Sequence, residues 1–336
     1  MSEVVPAEGI AGIVGRSPAM EEVVRLVRRV APTDSTVLIV GESGTGKEVV
    51  ARAIHELSPR RGRPFLACDC STLAPTLLES ELFGHVKGCF SGAYATKRGL
   101  LEVASSGTLL LDEVANLGLE TQAKLLRVLE TRRVRRVGDT VEHEVDLRLI
   151  AASNRDLKQM AQEGRFREDL YYRLNVVPIL LPPLRDRHGD VALLARTFLD
   201  RIGRSAPVRP RDFAPAALAA LESYPWPGNV RELRNIVERL AIFCEVEQVE
   251  VGHLPTELKP EAARQVEASI PSSWAEFRVL KRRTVDAVIS DLERRFLSEA
   301  LARSGGNVSR AAELVGMQRT NFHALLRKHG LGSSSS

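Results

Sequence analysis

The chain has 336 residues, of which 44% are hydrophobic and 27% charged, and its formal net charge is +4. This composition is that of an ordinary globular protein, and the length exceeds what a single core usually fills, so two or three structural units are expected. No run approaches the roughly 18 apolar residues of a membrane span, and the start MSEVVPAEGI lacks the pattern of a secretory signal. A membrane protein is therefore not expected, and the cytoplasm is the expected location.

The four cysteines form no recognisable framework. Cys68, Cys70, Cys89 and Cys244 include no CxxC pair, and the Cys68-x-Cys70 spacing is too tight for an ordinary zinc site. Neither a metal nor a disulfide role is expected for them. The small net charge also means that binding to a polyanion has to come from local clusters of basic residues.

Strands and helices alternate along the first half of the chain. Apolar residues at helical spacing predict helices at 20–30, 47–57 and 119–130. Short runs of apolar residues predict buried strands at 35–40, 64–69, 107–113 and 146–153. This alternation is typical of βαβ units, so we expect an α/β fold with a doubly wound parallel sheet.

The pattern changes after Pro178. Residues 190–250 show helical spacing without strand-like runs and predict a small helical domain. Residues 256–283 are polar, contain two prolines and show no clear period, so they are interpreted as a linker. From Thr284 the spacing is helical again, and residues 292–331 are interpreted as three helices.

The segment GESGTGK, residues 41–47, follows a predicted strand and begins a predicted helix. The pattern G-x-x-x-x-G-K is typical of loops whose backbone N–H groups surround phosphates, while the lysine reaches the β and γ phosphates of ATP. Alone, the pattern is only suggestive. Glu48 stands where a Ser or Thr usually holds Mg²⁺. The candidate ATP-binding residues here are Gly41, Glu42, Ser43, Gly44, Thr45, Gly46, Lys47 and Glu48.

Two further strand ends carry polar residues. In LLLDE, Asp112 is predicted to hold Mg²⁺ through water and Glu113 to polarise an attacking water, which indicates hydrolysis. The alternative is a pair of solvated carboxylates at a strand end. In LIAASN, the amide of Asn154 is a candidate for sensing the γ phosphate, although asparagine at a strand end is more often a turn residue.

Five motifs occur in a fixed order: GESGTGKE, ESELFGHVKGCFSGA, GTLLLDE, GRFREDLYYRLNVVPILLPPLRDR and PWPGNVRELRN. With them, residues 13–255 resemble the AAA+ central domain of sigma-54-dependent transcriptional activators, the bacterial enhancer-binding proteins. The resemblance implies an AAA+ P-loop parallel sheet with a helical lid subdomain. In that family a glutamate such as Glu48 is the expected residue after the P-loop lysine.

By the same resemblance, GCFSGA corresponds to the family's GAFTGA loop, which engages sigma-54 and moves with the nucleotide state. Glycines permit a steep, mobile tip, and an exposed phenylalanine supplies a compact apolar contact. The alternative is a surface turn whose Phe90 packs into the core. Cys89 and Ser91 depart from the family pattern. The candidate sigma-54 contacts are Gly88, Cys89, Phe90, Ser91, Gly92 and Ala93.

The resemblance implies roles at the nucleotide site for three arginines. Arg167 and Arg173 match the arginine fingers that reach the γ phosphate of a neighbouring subunit, which implies a ring and, by family analogy, a hexamer. Without the family, both would be interpreted as surface ion pairs. Arg231 matches the lid arginine that couples lid position to the nucleotide. Asp69 stands where many relatives have an asparagine that restrains the catalytic glutamate, so we expect it to alter basal ATPase activity.

The last helices resemble a Fis-type helix-turn-helix. Asn307 is predicted to cap the second helix, and Phe322, Leu325 and Leu326 are predicted to pack on one face of the third. A helical hairpin used for dimerisation is the alternative, and the two are compatible because the helix from Asp291 to Arg303 could pair subunits. The candidate DNA-binding residues are Arg310, Gln318, Arg319, Thr320, Asn321, His323, Arg327 and Lys328.

The predicted organisation is a leader at 1–12, an AAA+ α/β subdomain at 13–178, a helical lid at 179–255, a linker at 256–283, a Fis-type helix-turn-helix at 284–331 and a tail at 332–336. The basic stretch RRVRR at 132–136 is interpreted as a solvated face or a feature of the ring interior rather than a DNA contact.

The resemblance implies a transcription activator of the bacterial cytoplasm with ATP and Mg²⁺ as cofactors. Its expected partners are enhancer DNA, the sigma-54 RNA polymerase holoenzyme and further copies of itself, as a dimer at rest and a hexameric ring when active. Two alternatives stay open at this point: a DNA-bound regulator whose nucleotide only switches assembly and which does not engage sigma-54, and an AAA+ remodeller of another protein or of a DNA junction.

Overall fold

The structure, a computed structural model, describes residues 10–89, 94–205, 210–259 and 273–329. Its contacts divide the chain into two units, one ending at His253 and one beginning at Leu254. No helix in these ranges is both long and apolar enough to cross a membrane. Each unit is described separately below.

The first part of the larger unit alternates between helices and strands. The helices are α1 (Pro18–Val30), α2 (Lys47–Glu56), α3 (Pro75–Phe83), α4 (Leu100–Val103), α5 (Leu119–Thr131), α6 (Leu157–Gln162) and α7 (Glu168–Leu174). The strands are β1 (Val37–Val40), β2 (Phe65–Asp69), β3 (Gly84–His85), β4 (Lys97–Arg98), β5 (Thr108–Asp112), β6 (Arg133–Arg135), β7 (Glu142–Glu144), β8 (Arg148–Ser153) and β9 (Val177–Leu180).

Five of these strands form one parallel sheet in the order β2-β5-β8-β1-β9. The predicted parallel α/β sheet is therefore confirmed, and all four predicted strands belong to it. The fifth strand, β9, was not predicted, because Pro178 lacks an N–H group for a sheet hydrogen bond. It is tolerated here since β9 is an edge strand, paired only with β1 within the sheet.

Both faces of the sheet are buried. Alternate residues of β5 point to opposite faces: Leu109 and Leu111 belong to one apolar cluster and Leu110 to the other. The first cluster packs against α3, α5 and α7, and the second against α1 and α2. Burial on two faces explains why these strands are continuous apolar runs rather than alternating ones.

The helical lid follows β9 in the same unit. Its helices are α8 (Asp190–Ser205), α9 (Pro215–Ser223) and α10 (Asn229–Phe243), preceded by a 3-10 turn at Leu184–Asp186. The predicted helices are present, but the expectation of no strands is wrong in one detail. Two short segments, β10 (Asp212–Phe213) and β11 (Gln248–Val249), form a parallel pair that is too short to leave a pattern in the sequence.

The smaller unit contains α11 (Trp274–Arg303), α12 (Val308–Leu314) and α13 (Arg319–Lys328). The three predicted helices are present, but the first begins at Trp274, so the last ten residues of the predicted linker are helical. No proline follows Pro271, and the rings of Trp274 and Phe277 stack with their centroids 5.3 Å apart, which supports the first turn. Asn307 caps α12 as predicted, since its Oδ1 accepts from the N–H groups of Ser309 and Arg310.

Candidate functional site

The predicted phosphate-binding residues meet at the carboxyl edge of the parallel sheet. The glycine-rich loop follows β1, Asp112 ends β5, and Asn154 follows β8. Neighbouring parallel strands end on the same side, so these separate motifs converge at one place. The position is the one where α/β sheets ordinarily bind ligands.

The loop before α2 has the backbone that a phosphate requires. Gly44 and Gly46 have φ values of +79° and +103°, a region that favours glycine. A Cβ at Gly44 would lie 2.3 Å from the carbonyl oxygen of Gly228, whereas nothing lies within 4 Å of a Cβ built at Gly46. No side chain caps the N-terminus of α2, so its first N–H groups face the loop without a side-chain acceptor. A phosphate group fits this arrangement.

Lys47 and Glu113 form an ion pair at the centre of the site. The Lys47 Nζ donates to Glu113 Oε1 at 3.1 Å and to the carbonyl oxygen of Gly41 at 3.1 Å, and the lysine is only 6% exposed. The other carboxylate oxygen of Glu113 accepts from the backbone N–H of Asn154 at 3.2 Å. Glu113 also has a left-handed backbone conformation, with φ 52° and ψ 45°, which is uncommon outside glycine and typical of functional sites.

Two carboxylates flank this pair. Burial raises the pKa of Asp112 above its ordinary value, against the opposing effect of the nearby Lys47 charge. The Oδ1 atom of Asp69 accepts from the N–H and hydroxyl of Ser71 at 2.8 and 2.6 Å, and both oxygens of Glu113 have the other donors described above. The aspartate at position 69 is thus turned toward its own loop, and Lys47 and Asn154 hold the glutamate.

A cleft of about 480 Å³ extends from the phosphate loop to the lid. Polar residues such as Lys47, Asp112 and Glu113 line one part, and apolar residues line another: Ile13, Val14, Met20, Leu181, Leu194 and Phe198. The volume is within the range of ordinary small-molecule sites, and the mixed lining suits a ligand with an apolar ring and charged groups. Ser43, Gly44, Thr45, Gly46 and Glu48 also line it, whereas Gly41, Glu42 and Asn154 support it from outside.

Lid residues contact the phosphate loop directly. Arg231 donates from its backbone N–H to the Gly44 carbonyl and from its guanidinium to the Ser43 hydroxyl, both at 3.2 Å. The buried Asn229 donates to the Ser43 carbonyl and accepts from the Leu184 N–H. Arg231 therefore lies beside the glycine-rich loop, and its predicted coupling of the lid to a nucleotide stays a prediction.

A second lid contact joins Arg185 to Glu42. The two side chains form a bidentate ion pair with N–O distances of 2.9 and 2.6 Å, and Asn229 adds a third donor to Glu42. These hydrogen bonds, with Arg185 the largest contributor, lower the pKa of Glu42 to about 2. Both partners of the ion pair are more than two-fifths exposed, at 44% and 43%, so water can compete for them.

A buried cluster joins the lid to the strap, the segment of residues 10–17. Asp190 accepts from the N–H groups of Arg16 and Ser17, from the Ser17 hydroxyl and from the Arg187 guanidinium, at 2.6 to 3.0 Å. Arg187 also donates to the Val14 carbonyl at 2.8 Å. Removing one partner from a buried ion pair typically costs about 3–5 kcal/mol. No sequence pattern indicated these contacts, because the partners lie more than 170 residues apart.

Arg167 and Arg173 lie outside the cleft of their own chain. Arg167 precedes α7 and forms a bidentate pair with Asp169 at 3.0 and 2.7 Å, while the exposed Arg173 donates to the Leu129 carbonyl at 2.9 Å. Neither is among the residues that line the cleft. The surface ion pair that the residues alone suggested is present at Arg167.

The predicted sigma-54 loop is described only at its base. Gly88 and Cys89 are placed, whereas Phe90, Ser91, Gly92 and Ala93 lie outside the described residues. The base contacts the β6–β7 hairpin: Val86 and Val137 are hydrogen bonded, and a Cβ at Gly138 would lie 2.6 Å from that of Cys89. The bidentate pair of Arg136 and the buried Glu102, at 2.7 Å for both bonds, fixes the hairpin to α4.

The basic stretch at 132–136 is part of this hairpin. Arg133 pairs with Glu144, Arg135 with Glu142 and Arg136 with Glu102. Arg132 donates to the Leu147 carbonyl. Each arginine of the stretch thus has a partner within the chain, which favours the interpretation as a solvated face over a DNA contact.

The candidate DNA-binding residues lie in the smaller unit. Phe322 and Leu326 are buried and Leu325 is half-buried, so one face of α13 packs on the unit's core as predicted. Six candidates on or before α13 are exposed on its other faces: Gln318, Arg319, Thr320, Asn321, His323 and Lys328. Arg310 on α12 is also exposed, and the side chain of Arg327 lies outside the described residues.

Comparison with known families matches three consecutive parts of the chain. The family model described as the sigma-54 interaction domain matches residues 13–180, the AAA+ ATPase lid domain matches 185–270, and the bacterial regulatory protein Fis family matches 288–329. The chain belongs to the family of sigma-54-dependent transcriptional activators. This activator thus combines a P-loop domain, a lid and a DNA-binding helix-turn-helix.

Similar proteins share most of the activator's length. It is 41% identical to Regulatory protein AtoC of Escherichia coli K12 over 95% of this chain and 68% of AtoC. It is 40% identical to the DNA-binding transcriptional regulator NtrC of Rhizobium meliloti over 95% of this chain and 70% of NtrC. For VnfA of Azotobacter vinelandii the identity is 45% over 96% of this chain, but the activator spans only 59% of that relative.

A solved structure extends the likeness to three dimensions. The crystal structure of NtrX from Brucella abortus in complex with ATP is 39% identical, with a TM-score of 0.67 over 96% of this chain and 70% of NtrX. The same protein with ADP gives a TM-score of 0.69 at 40% identity. The activator therefore shares its fold with a protein that has been crystallised with both nucleotides.

Proposed function

We propose that this activator binds ATP with Mg²⁺ in the cleft, hydrolyses it in a ring of subunits, and uses the energy to remodel the sigma-54 RNA polymerase closed complex into the open complex. The main support for this proposal is that Lys47, Glu113 and Asp112 converge at one edge of the sheet. The lid contacts the glycine-rich loop at the same edge. The NtrX structures with ATP and ADP support nucleotide binding in a cleft of this fold.

The residues of the cleft suit ATP and Mg²⁺. The loop amides and Lys47 offer donors to phosphate oxygens, and the apolar lining formed by residues such as Ile13 and Phe198 suits the base. Asp112 would hold Mg²⁺ through water, as a hard cation prefers oxygen ligands and retains several waters. Bound Mg²⁺ supplies positive charge that offsets the charge of the phosphates.

Glu113 is the proposed general base. It accepts a proton from water as that water's oxygen attacks the γ phosphorus and the bond to the bridging oxygen breaks. In the structure both of its oxygens are engaged, by Lys47 and by Asn154. A phosphate oxygen that draws Lys47 away would free one oxygen of Glu113, so the ion pair restrains the glutamate until a nucleotide is present.

Arg167 and Arg173 are the proposed arginine fingers, which act on the nucleotide bound to a neighbouring subunit. They lie at the two ends of α7, and neither lines the cleft of its own chain. A guanidinium delivered from outside stabilises charge in the transition state and makes hydrolysis depend on assembly. The Phe90 loop is proposed to transmit the resulting movement to sigma-54, through a base that rests on the β6–β7 hairpin.

The smaller unit is proposed to bind enhancer DNA as a dimer. The exposed polar and basic face of α13 suits a major groove. On α11, Val285, Ile289, Leu292 and Phe296 are 46%, 46%, 68% and 49% exposed and are spaced by four, three and four residues. This heptad spacing is typical of a helix that pairs with another helix, and a second copy of this chain is the proposed partner at rest.

A two-part experiment tests the proposal. Glu113→Gln keeps the size of the side chain but cannot accept the proton, so ATP turnover should fall by at least about a hundredfold while ATP binding persists. Phe90→Ala should lose open-complex formation with sigma-54 polymerase by a much larger factor than it loses turnover. Tyr94→Ala, which removes a ring that is 87% exposed just beyond the loop, is the matched control and should retain activation.

Two results would refute the proposal. Normal turnover by Glu113→Gln would remove its catalytic role. Full activation by Phe90→Ala would remove the loop's role and favour a regulator whose nucleotide only switches assembly.

A further inference from the structure

The motif LRDRHGD, residues 184–190, has no role in the function proposed above. It links β9 to α8 and so lies between the sheet and the lid. Three of its charged residues have partners that line or hold the cleft: Arg185 contacts the phosphate loop, and Arg187 and Asp190 contact the strap. The motif therefore connects the lid to two different walls of the same cleft.

The strap contact is fully buried. Asp190 is 0% and Arg187 3% exposed, and Ser17 is buried with them. Asp190 and Arg187 pair with each other within the lid, and the strap supplies the other three donors to Asp190 and the Val14 carbonyl that accepts from Arg187. Separating the two segments would break these four hydrogen bonds and leave the buried ion pair with too few partners, so the contact resists opening.

The side-chain contacts of Arg185 and Arg231 with the phosphate loop are exposed instead, although the buried Asn229 also donates to the Ser43 carbonyl of that loop. Arg185 and Glu42 are both more than two-fifths exposed, at 44% and 43%, and water can replace either partner. The Arg231 guanidinium, which contacts Ser43, is also on the exposed side of α10. If the lid moves relative to the sheet, these exposed side-chain contacts are lost more easily than the buried strap contact.

The strap is also a wall of the cleft. Ile13 and Val14 of the strap line its apolar part together with Leu194 and Phe198 of α8. Arg187 itself lines the cleft and donates to the Val14 carbonyl, so the buried contact is part of the lining. A nucleotide base in this part of the cleft would touch strap and lid at once.

We propose that Arg187 and Asp190 are positioning residues for nucleotide binding, which join the strap to the lid so that both walls of the apolar pocket move as one body. The inference rests on the proposed nucleotide site. It assigns the LRDRHGD motif a function: the buried pair is the fixed joint of the lid, and the Arg185–Glu42 pair is the contact that opens and closes.

The test compares two buried arginines that both donate to backbone carbonyls. Arg187→Lys removes a donor at the joint, whereas Arg148→Lys changes an arginine that is 1% exposed and donates to the carbonyls of Val30 and Ala31, away from the cleft lining. Binding of the ATP analogue AMP-PNP with Mg²⁺ is measured by calorimetry on the full chain, together with thermal unfolding and the kinetics of ATP hydrolysis.

Both variants should unfold at lower temperature, but only Arg187→Lys should bind the analogue more weakly, by about tenfold or more. Its KM for ATP should rise by a similar factor while kcat changes less, because the joint shapes the site before the chemical step. Ser17→Ala, which removes one hydroxyl donor to Asp190, is a milder variant and should raise the dissociation constant about threefold.

The other possible outcomes distinguish failure of the nucleotide site from failure of the joint. If the unmodified protein does not bind AMP-PNP, the proposed nucleotide site fails and this inference fails with it. If it binds and the Arg187→Lys and Ser17→Ala variants bind equally well, the joint is refuted and the nucleotide site stands. Equal weakening by Arg148→Lys would show general loosening of the fold and would also refute the joint.

Discussion

Buried polar side chains determine several local features that no motif indicates. Arg148 is 1% exposed and donates to the carbonyls of Val30 and Ala31 at 2.9 and 2.7 Å, where it satisfies the C-terminal end of α1. Burial lowers its pKa to about 10. His55 is 2% exposed, bonds to the Thr108 hydroxyl at 2.9 Å and packs on Phe65. Neither residue lines the cleft, and both depend on neighbours that are distant in sequence.

His55 gives a prediction for stability against pH. Burial lowers its pKa below the ordinary value, so below about pH 6.5 the unfolded chain binds a proton that the folded chain does not. The free energy of unfolding should therefore be highest above that pH and fall on acidification, by at most about 1.4 kcal/mol per pH unit. His55→Gln, whose amide can still bond to Thr108, should show a weaker fall between about pH 7.5 and 5.5.

Chemical denaturation at several pH values measures this effect. His188→Gln, at an exposed histidine, is the control and should follow the unmodified protein. A fall in stability of equal steepness in His55→Gln would show that other groups cause the pH dependence.

At the scale of elements, α11 begins earlier than the sequence pattern predicted, and its packing explains why. Among its described side chains, Leu297 and Ala300 near its end are buried in the core of the smaller unit. The segment before it carries the exposed apolar seam of Val285, Ile289, Leu292 and Phe296. A helix with such a seam is stabilised by a partner helix rather than by its own propensity. The sequence predicted helix here only from Thr284 and could not show where the helix begins.

The seam predicts the effect of one substitution. Leu292→Asp places a charge in the pairing face, so the resting dimer should dissociate at protein concentrations that keep the unmodified chain paired. Sedimentation velocity measures the change, and DNA affinity should fall with it because two half-sites are no longer held together. Leu314→Asp is the matched control, since Leu314 is 58% exposed on α12 but lies outside the seam. Equal dissociation in both variants would contradict pairing through α11.

At the scale of the whole molecule, the proposed catalytic groups are incomplete within one chain. Glu113 and Lys47 are in the cleft, whereas Arg167 and Arg173 are on another surface of the same unit. In the proposed mechanism a second copy completes the site, and activity is then a property of the assembly. ATP turnover per subunit should accordingly rise with protein concentration.

A mixing experiment tests the shared site. Glu113→Gln and Arg173→Ala should each be nearly inactive alone, because one lacks the base and the other a finger. When they are mixed in equal amounts, roughly a quarter of the interfaces should combine an intact Glu113 with an intact Arg173 and regain turnover. A mixture no more active than its components, together with turnover that does not depend on concentration, would contradict the proposal.

The sequence by itself determined the main elements of the sheet and the place of the glycine-rich loop between a strand and a helix. Apolar runs fixed four of the five sheet strands, and local spacing placed Gly44, Gly46 and Lys47 at the start of a helix. These features depend on residues close to one another along the chain, where backbone geometry and hydrophobic period leave a readable pattern.

Tertiary structure alone decided how these parts are joined. The restraint of Glu113 by Lys47 and Asn154, the joint of Asp190 with the strap, and the edge position that permits Pro178 in β9 each depend on groups far apart in sequence. The buried contacts among them are strong because the fold brings specific donors to a charge that water cannot reach. A local sequence pattern contains no information about those donors.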